Sequence, residues 1–144
     1  MDGCGVVVYG MPLEAMARAY ARLAAAYARG DEVPRRVVDA IRERPHLFGG
    51  TDRFDTVLLE ETEGRVLAKV GAEGVHSAAV LDRGIGLAIK VEDGNARAQY
   101  PAVLRLLQHL GALPATLPPR LADIATRPVR NTRGERVGTV APVA

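Results

Sequence analysis

The chain has 144 residues, is 48% hydrophobic and 25% charged, and carries a formal net charge of +2. That length fits one domain and hides roughly 70% of its unfolded surface. The composition excludes a membrane span, since no run of 18 apolar residues occurs. With 4% aromatic residues and no Trp, stacking platforms for single-stranded nucleic acid are scarce and no nucleic-acid partner is expected. The single cysteine, Cys4, rules out an internal disulfide. Met1-Asp2-Gly3-Cys4 lacks the basic stretch of a signal peptide, so the expected compartment is the cytoplasm.

The first periodic segment opens at Pro12, whose missing N–H suits a first helical turn. Leu13, Met16, Ala17, Tyr20, Leu23, Ala24 and Tyr27 recur at helical spacing, and Gly30 is a left-handed cap. A second helix is expected from Pro34 to about Glu43, with Pro45 as its stop. Residues 45–50 read as a loop, and Thr51 or Asp52 as the cap of a third helix that places Phe54, Val57 and Leu58 on one face.

The pattern then changes to strands. Residues 65–71, 75–81 and 85–92 are short runs separated by Glu73-Gly74 and Asp82-Arg83-Gly84, and their alternation predicts an antiparallel meander. Asp93 is placed to cap a helix from about Asn95 to Leu110. Residues 1–111 therefore predict helices, a three-stranded meander and a helix. Residues 112–144 predict an irregular Pro-rich tail with an edge strand at residues 136–140. The order is α+β, with helices packed on an antiparallel sheet in a single domain.

Only Lys69 and Lys90 are lysines among 19 basic residues. Where Arg is so strongly preferred, a retained lysine points to a property Arg lacks, such as a change of protonation state. Lys69 precedes Gly71 at a strand end, where a ligand could approach the backbone. The residues alone leave it either a site lysine or an exposed edge-strand lysine. Asp2 and Cys4 stand two apart between glycines, which is half a zinc site at most. His46, His76 and His109 show no metal-ligand spacing. Ser77 is the only serine and lies mid-strand, with no lysine at the S-x-x-K offset.

Asp2-Gly3-Cys4-Gly5, Arg53-Phe54-Asp55-Thr56, Lys69-Val70-Gly71-Ala72-Glu73-Gly74, Gly86 through Gly94 and Asn131-Thr132-Arg133-Gly134 occur in this order. Together they resemble the asparaginase II family over essentially the whole chain, matching the C-terminal half of a family member. The resemblance implies the C-terminal part of a serine β-lactamase/glutaminase-like fold, in which a K-x-G strand flanks the active site. It implies hydrolysis of L-asparagine to aspartate and ammonia by a serine from an S-x-x-K segment.

By the same resemblance, Lys69 and Asp2 are the catalytic candidates, and Gly71, Glu73 and Asp55 the substrate-binding ones. Cys4 is implied as a ligand of zinc in the complete enzyme, with little or no zinc held by this chain alone. The expected partners are an N-terminal half and further copies of the chain, because the long apolar stripe of the first helix is expected to lie open. The rival reading is a stand-alone, non-catalytic binding or regulatory domain of the same fold.

Overall fold

A computed structural model describes residues 3–142. Its elements, in chain order, are α1 (Leu13–Arg29), α2 (Glu32–Glu43), α3 (Pro45–Gly49), α4 (Phe54–Glu61), β1 (Val66–Val70), β2 (Val75–Val80), β3 (Ile85–Lys90), α5 (Ala96–His109), α6 (Pro119–Ala125), β4 (Arg127–Arg130) and β5 (Arg136–Val140). This is an α+β fold, as the sequence predicts.

The centre is the antiparallel meander β1-β2-β3, with Lys69 opposite Ser77 and Val70 opposite His76 across the first pair. Strand alternation sends two apolar sets to opposite faces. Val66, Ala68, Ala78, Val80 and Leu87 join Phe54, Val57 and Leu58 of α4, Tyr100, Val103, Leu104 and Leu107 of α5, and Leu121 of α6. Leu67, Ala79 and Leu81 face the other way and meet Ala24 of α1 and Val38 of α2. Helices thus cover both faces of a three-stranded sheet.

α1 begins as its sequence requires. Pro12 is the N-cap and its carbonyl accepts the Ala15 and Met16 N–H groups. Gly30 closes the helix at φ 82°, and the Asp31 N–H returns to the Ala26 carbonyl, the wrap of a left-handed glycine cap. Beyond the exposed Leu13, the apolar stripe of α1 lies on β3 and β2 of the same chain, which corrects the expectation that it lies open. The approach is so close that a Cβ at Gly86 would stand 2.0 Å from the Ala17 carbonyl oxygen and 2.3 Å from the Ala21 nitrogen.

Other departures have local causes. Residues 45–50 are not a loop: Pro45 ends α2 and also occupies the first turn of α3, where its missing N–H costs nothing. Neither Thr51 nor Asp52 caps α4, whose N-cap is Arg53; Asp52 instead takes the left-handed turn at φ 55°. Asn95, not Asp93, caps α5 by accepting the Arg97 N–H, while Asp93 accepts the Asn95 N–H one turn earlier. The Pro-rich tail is not irregular throughout: it holds α6 and a β4–β5 hairpin, in which the edge strand expected at residues 136–140 is present as β5.

Gly86 yields a direct test. Ala at this position must push α1 off the sheet, because backbone atoms on both sides cannot yield. We expect Gly86→Ala to lose about 2 kcal/mol or more, read as a fall of several degrees in Tm by circular dichroism. An unchanged Tm would show that α1 does not seat on β3 as described.

Candidate functional site

Asp55 lies in the first turn of α4, the most buried helix of the fold. Two contacts lock that turn. The Thr56 hydroxyl donates to the Gly50 carbonyl at 2.7 Å, and a Cβ at Gly49 would stand 2.5 Å from Thr56 Oγ1. The α3–α4 corner therefore has one geometry, and it directs Asp55 at the open edge of β1. There Asp55 Oδ2 accepts the Val70 backbone N–H at 2.9 Å, a donor that an edge strand otherwise offers to water or to another strand.

The Asp55 side chain is only 3% exposed and meets Lys69 from one face of the sheet and His76 from the other. Lys69 Nζ lies 4.0 Å from Oδ2. His76 Nε2, fully buried on β2, lies 2.9 Å from Oδ1. That contact is off the N–H axis, and Asp55 Oδ1 and both His76 ring nitrogens have no aligned hydrogen-bond partner among the described residues. The imidazole is held edge-on between Phe54 and Tyr100, with ring centroids 5.2 and 5.7 Å away.

Lys69 has its ammonium donating to the Val70 carbonyl at 3.1 Å and placed 5.8 Å from the centre of the Phe48 ring. It lines a cleft of about 320 Å³ with Tyr20, Val70, Gly71, Val75, Ser77, Met11, Met16 and Ala19. Lys69, Tyr20 and Ser77 thus share the lining of one small, mostly apolar concavity. Burial, and secondarily the Asp55 charge, push the Tyr20 phenol above its ordinary value, so it stands in the cleft as a neutral O–H.

Residues 1–142 match the family described as L-asparaginase II. The chain belongs to the L-asparaginase II family. No curated protein matches the sequence. In this family member, the residues expected to act separate into those gathered at the cleft and those away from it.

Asp55, Lys69 and Gly71 come together. Gly71 closes the β1–β2 hairpin, its N–H donating to the Val75 carbonyl at 2.8 Å, and a Cβ there would press on Val75 at 3.2 Å. Glu73 lies at the exposed hairpin tip with φ 56°, its carboxylate beside Gly94 and outside the cleft lining. Lys90, the other lysine, donates to the Glu73 and Val91 carbonyls and ties two turns together. Asp2 lies outside the described residues.

Cys4 is exposed, and no group of three His, Cys, Asp or Glu side chains gathers among the described residues. Those residues do not make a tetrahedral zinc set on their own. No helix among the described residues is long and apolar enough to cross a membrane.

Sequence reasoning missed Tyr20 and His76. Tyr20 reads as one member of an apolar helical stripe, and only the seating of α1 on the sheet brings its hydroxyl to the cleft. His76 reads as an ordinary strand residue. A polar residue on the apolar face of a buried strand was the available signal.

The Tyr20 phenol carries a pH prediction. Its folded pKa is raised, so its contribution to stability is complete below the unfolded value of about 10 and is lost as pH rises through the folded value. Absorbance at 295 nm should show a late phenolate phase that Tyr20→Phe removes, together with the matching part of the alkaline loss of stability. A phase removed at or below pH 10 would contradict the burial of Tyr20 beside Asp55.

Proposed function

We propose that this chain is a lobe of an amidohydrolase that converts L-asparagine to aspartate and ammonia, and that its part of the reactive cleft is the Lys69–Tyr20–Ser77 concavity. The observation that carries the reading is the convergence, in an L-asparaginase II family member, of Lys69 and the K-x-G strand on one small cleft backed by the buried Asp55.

The family chemistry is acyl transfer. A hydroxyl attacks the side-chain amide, ammonia leaves, and water releases aspartate. Lys69 serves as the electrostatic or proton-transfer group. Its ammonium suits a substrate carboxylate, and the neutral Tyr20 hydroxyl is a donor on the same wall. The nucleophile is assigned to an S-x-x-K segment outside these 144 residues, because Ser77, the only serine here, is 3% exposed in mid-strand. Cys4 is proposed to give one thiolate to zinc in the complete enzyme, and Asp2 to stand beside it.

Association with the complementary segment, or between copies, is proposed for the exposed run Val6, Val7, Val8 and Tyr9, which are 53–84% exposed. The burial of Ser77 also favours a second reading, a binding domain of the same fold without activity.

Ammonia release from L-asparagine tests both readings. The pure chain should show none, and adding a polypeptide that carries the family S-x-x-K segment should produce turnover. Turnover by the pure chain on the order of 1 per second or more would overturn the assignment of the nucleophile. No release in either arm would leave the non-catalytic domain.

A further inference from the structure

The two lysines of the chain do different things. Lys90 donates to the Glu73 and Val91 carbonyls on the exposed side of the sheet. Lys69 is paired with Asp55, and the pairing has a specific construction. The Asp55 carboxylate is nearly free of solvent, so its charge must be balanced by neighbours and not by water. One oxygen is pinned by the N–H of Val70, the residue next to Lys69, so the anion is fixed to the same strand as the cation. The other oxygen has no aligned donor among the described residues. Among the described residues, that leaves Lys69, 4.0 Å from the pinned oxygen, and His76 as the side chains within ion-pair distance.

The ammonium is confined on its other sides as well. The Val70 carbonyl takes one of its three donors and the Phe48 ring flanks it. A lysine side chain has long, flexible torsions and ordinarily spreads over many rotamers. Here a buried anion, a carbonyl and an aromatic face restrict it to the cleft wall while 39% of its side chain stays exposed. Lys69 shares the lining of the cleft with Tyr20 and Ser77.

We propose that Asp55 is a positioning residue for Lys69: its buried carboxylate, anchored on the Val70 N–H, holds the ammonium at the wall of the cleft. Asp55 then acts on a ligand through Lys69 and does not bind it, which revises its role from substrate-binding residue to support. The catalytic consequence rests on the reading of this cleft as part of an asparaginase site; the ordering of Lys69 does not.

Two measurements separate those claims. The first is the 15Nζ order parameter of the lysine ammonium groups by NMR, made simple by there being only Lys69 and Lys90 to assign. Lys69 should be ordered in the native chain and should lose that order in Asp55→Asn, which keeps an oxygen acceptor for Val70 but removes the charge. If Asp55→Asn does not fold, Asp55→Glu moves the charge by one methylene while keeping it, and should also disturb Lys69. A mobile Lys69 in the native chain, or an unchanged Lys69 in a folded variant, overturns the proposal.

The second is the reconstituted ammonia assay. There Asp55→Asn should lower kcat/KM by about tenfold or more, because a disordered Lys69 serves neither the substrate carboxylate nor the proton. Loss of Lys69 order without loss of turnover would make Asp55 a purely structural carboxylate and overturn its positioning role. Absence of turnover by the unaltered chain would count against the asparaginase reading alone, and the order parameter would still decide whether Asp55 orders Lys69.

Discussion

A carboxylate buried against the free edge of a sheet is the constraint around which this molecule is arranged. Asp55 substitutes for a missing fourth strand at one point, accepting the Val70 N–H. Hydrogen bonds to charged groups are worth about 1.5–3 kcal/mol, whereas burying an ion costs several kcal/mol before compensation. The arrangement therefore needs more than one partner. It obtains them from Lys69 on one face of β1 and His76 reached from the other, together with a place in the first turn of α4, where the helix dipole favours negative charge. The Thr56 hydroxyl and the glycine corner before it fix that turn, so the anion cannot swing out to water.

Both sheet faces are used inside the chain. α4, α5 and α6 cover one and α1 with α2 the other. Gly86 makes the second layer possible by letting the α1 backbone rest on β3. That close seat also places Tyr20 over Lys69 and Ser77. The cleft is therefore a product of helix-on-sheet packing and depends on Gly86, which does not line it.

Much of the fold was legible in the sequence because local rules governed it. The Gly30 cap, the two hairpin turns at Glu73-Gly74 and before Ile85, and the alternation of Ile85, Leu87 and Ile89 determine α1 and the meander without help from distant residues. What escaped was set by choices between rules or by tertiary contact. Pro45 is both a helix stop and a good first-turn residue, and only the second role reveals α3. The proline-rich tail contains a Pro118-Pro119 start for α6 that composition alone obscures. Lys69 was singled out by the scarcity of lysine as well as by resemblance, Gly71 and Asp55 by resemblance, and the structure brings them to one place. Glu73 was singled out on the same ground and lies at the hairpin tip. Tyr20 and His76 acquire their surroundings only through contacts far along the chain.

The central claim is that the Lys69 cleft receives a small amino-acid carboxylate. Titrating L-aspartate, the proposed product, into the 15N-labelled chain and following its backbone amides tests this most directly. Saturable shifts confined to Val70, Gly71, Val75, Ser77 and the Tyr20 turn of α1, abolished by Lys69→Met, are the predicted result. Shifts centred elsewhere, or an unchanged pattern in the Lys69→Met variant, would contradict the account.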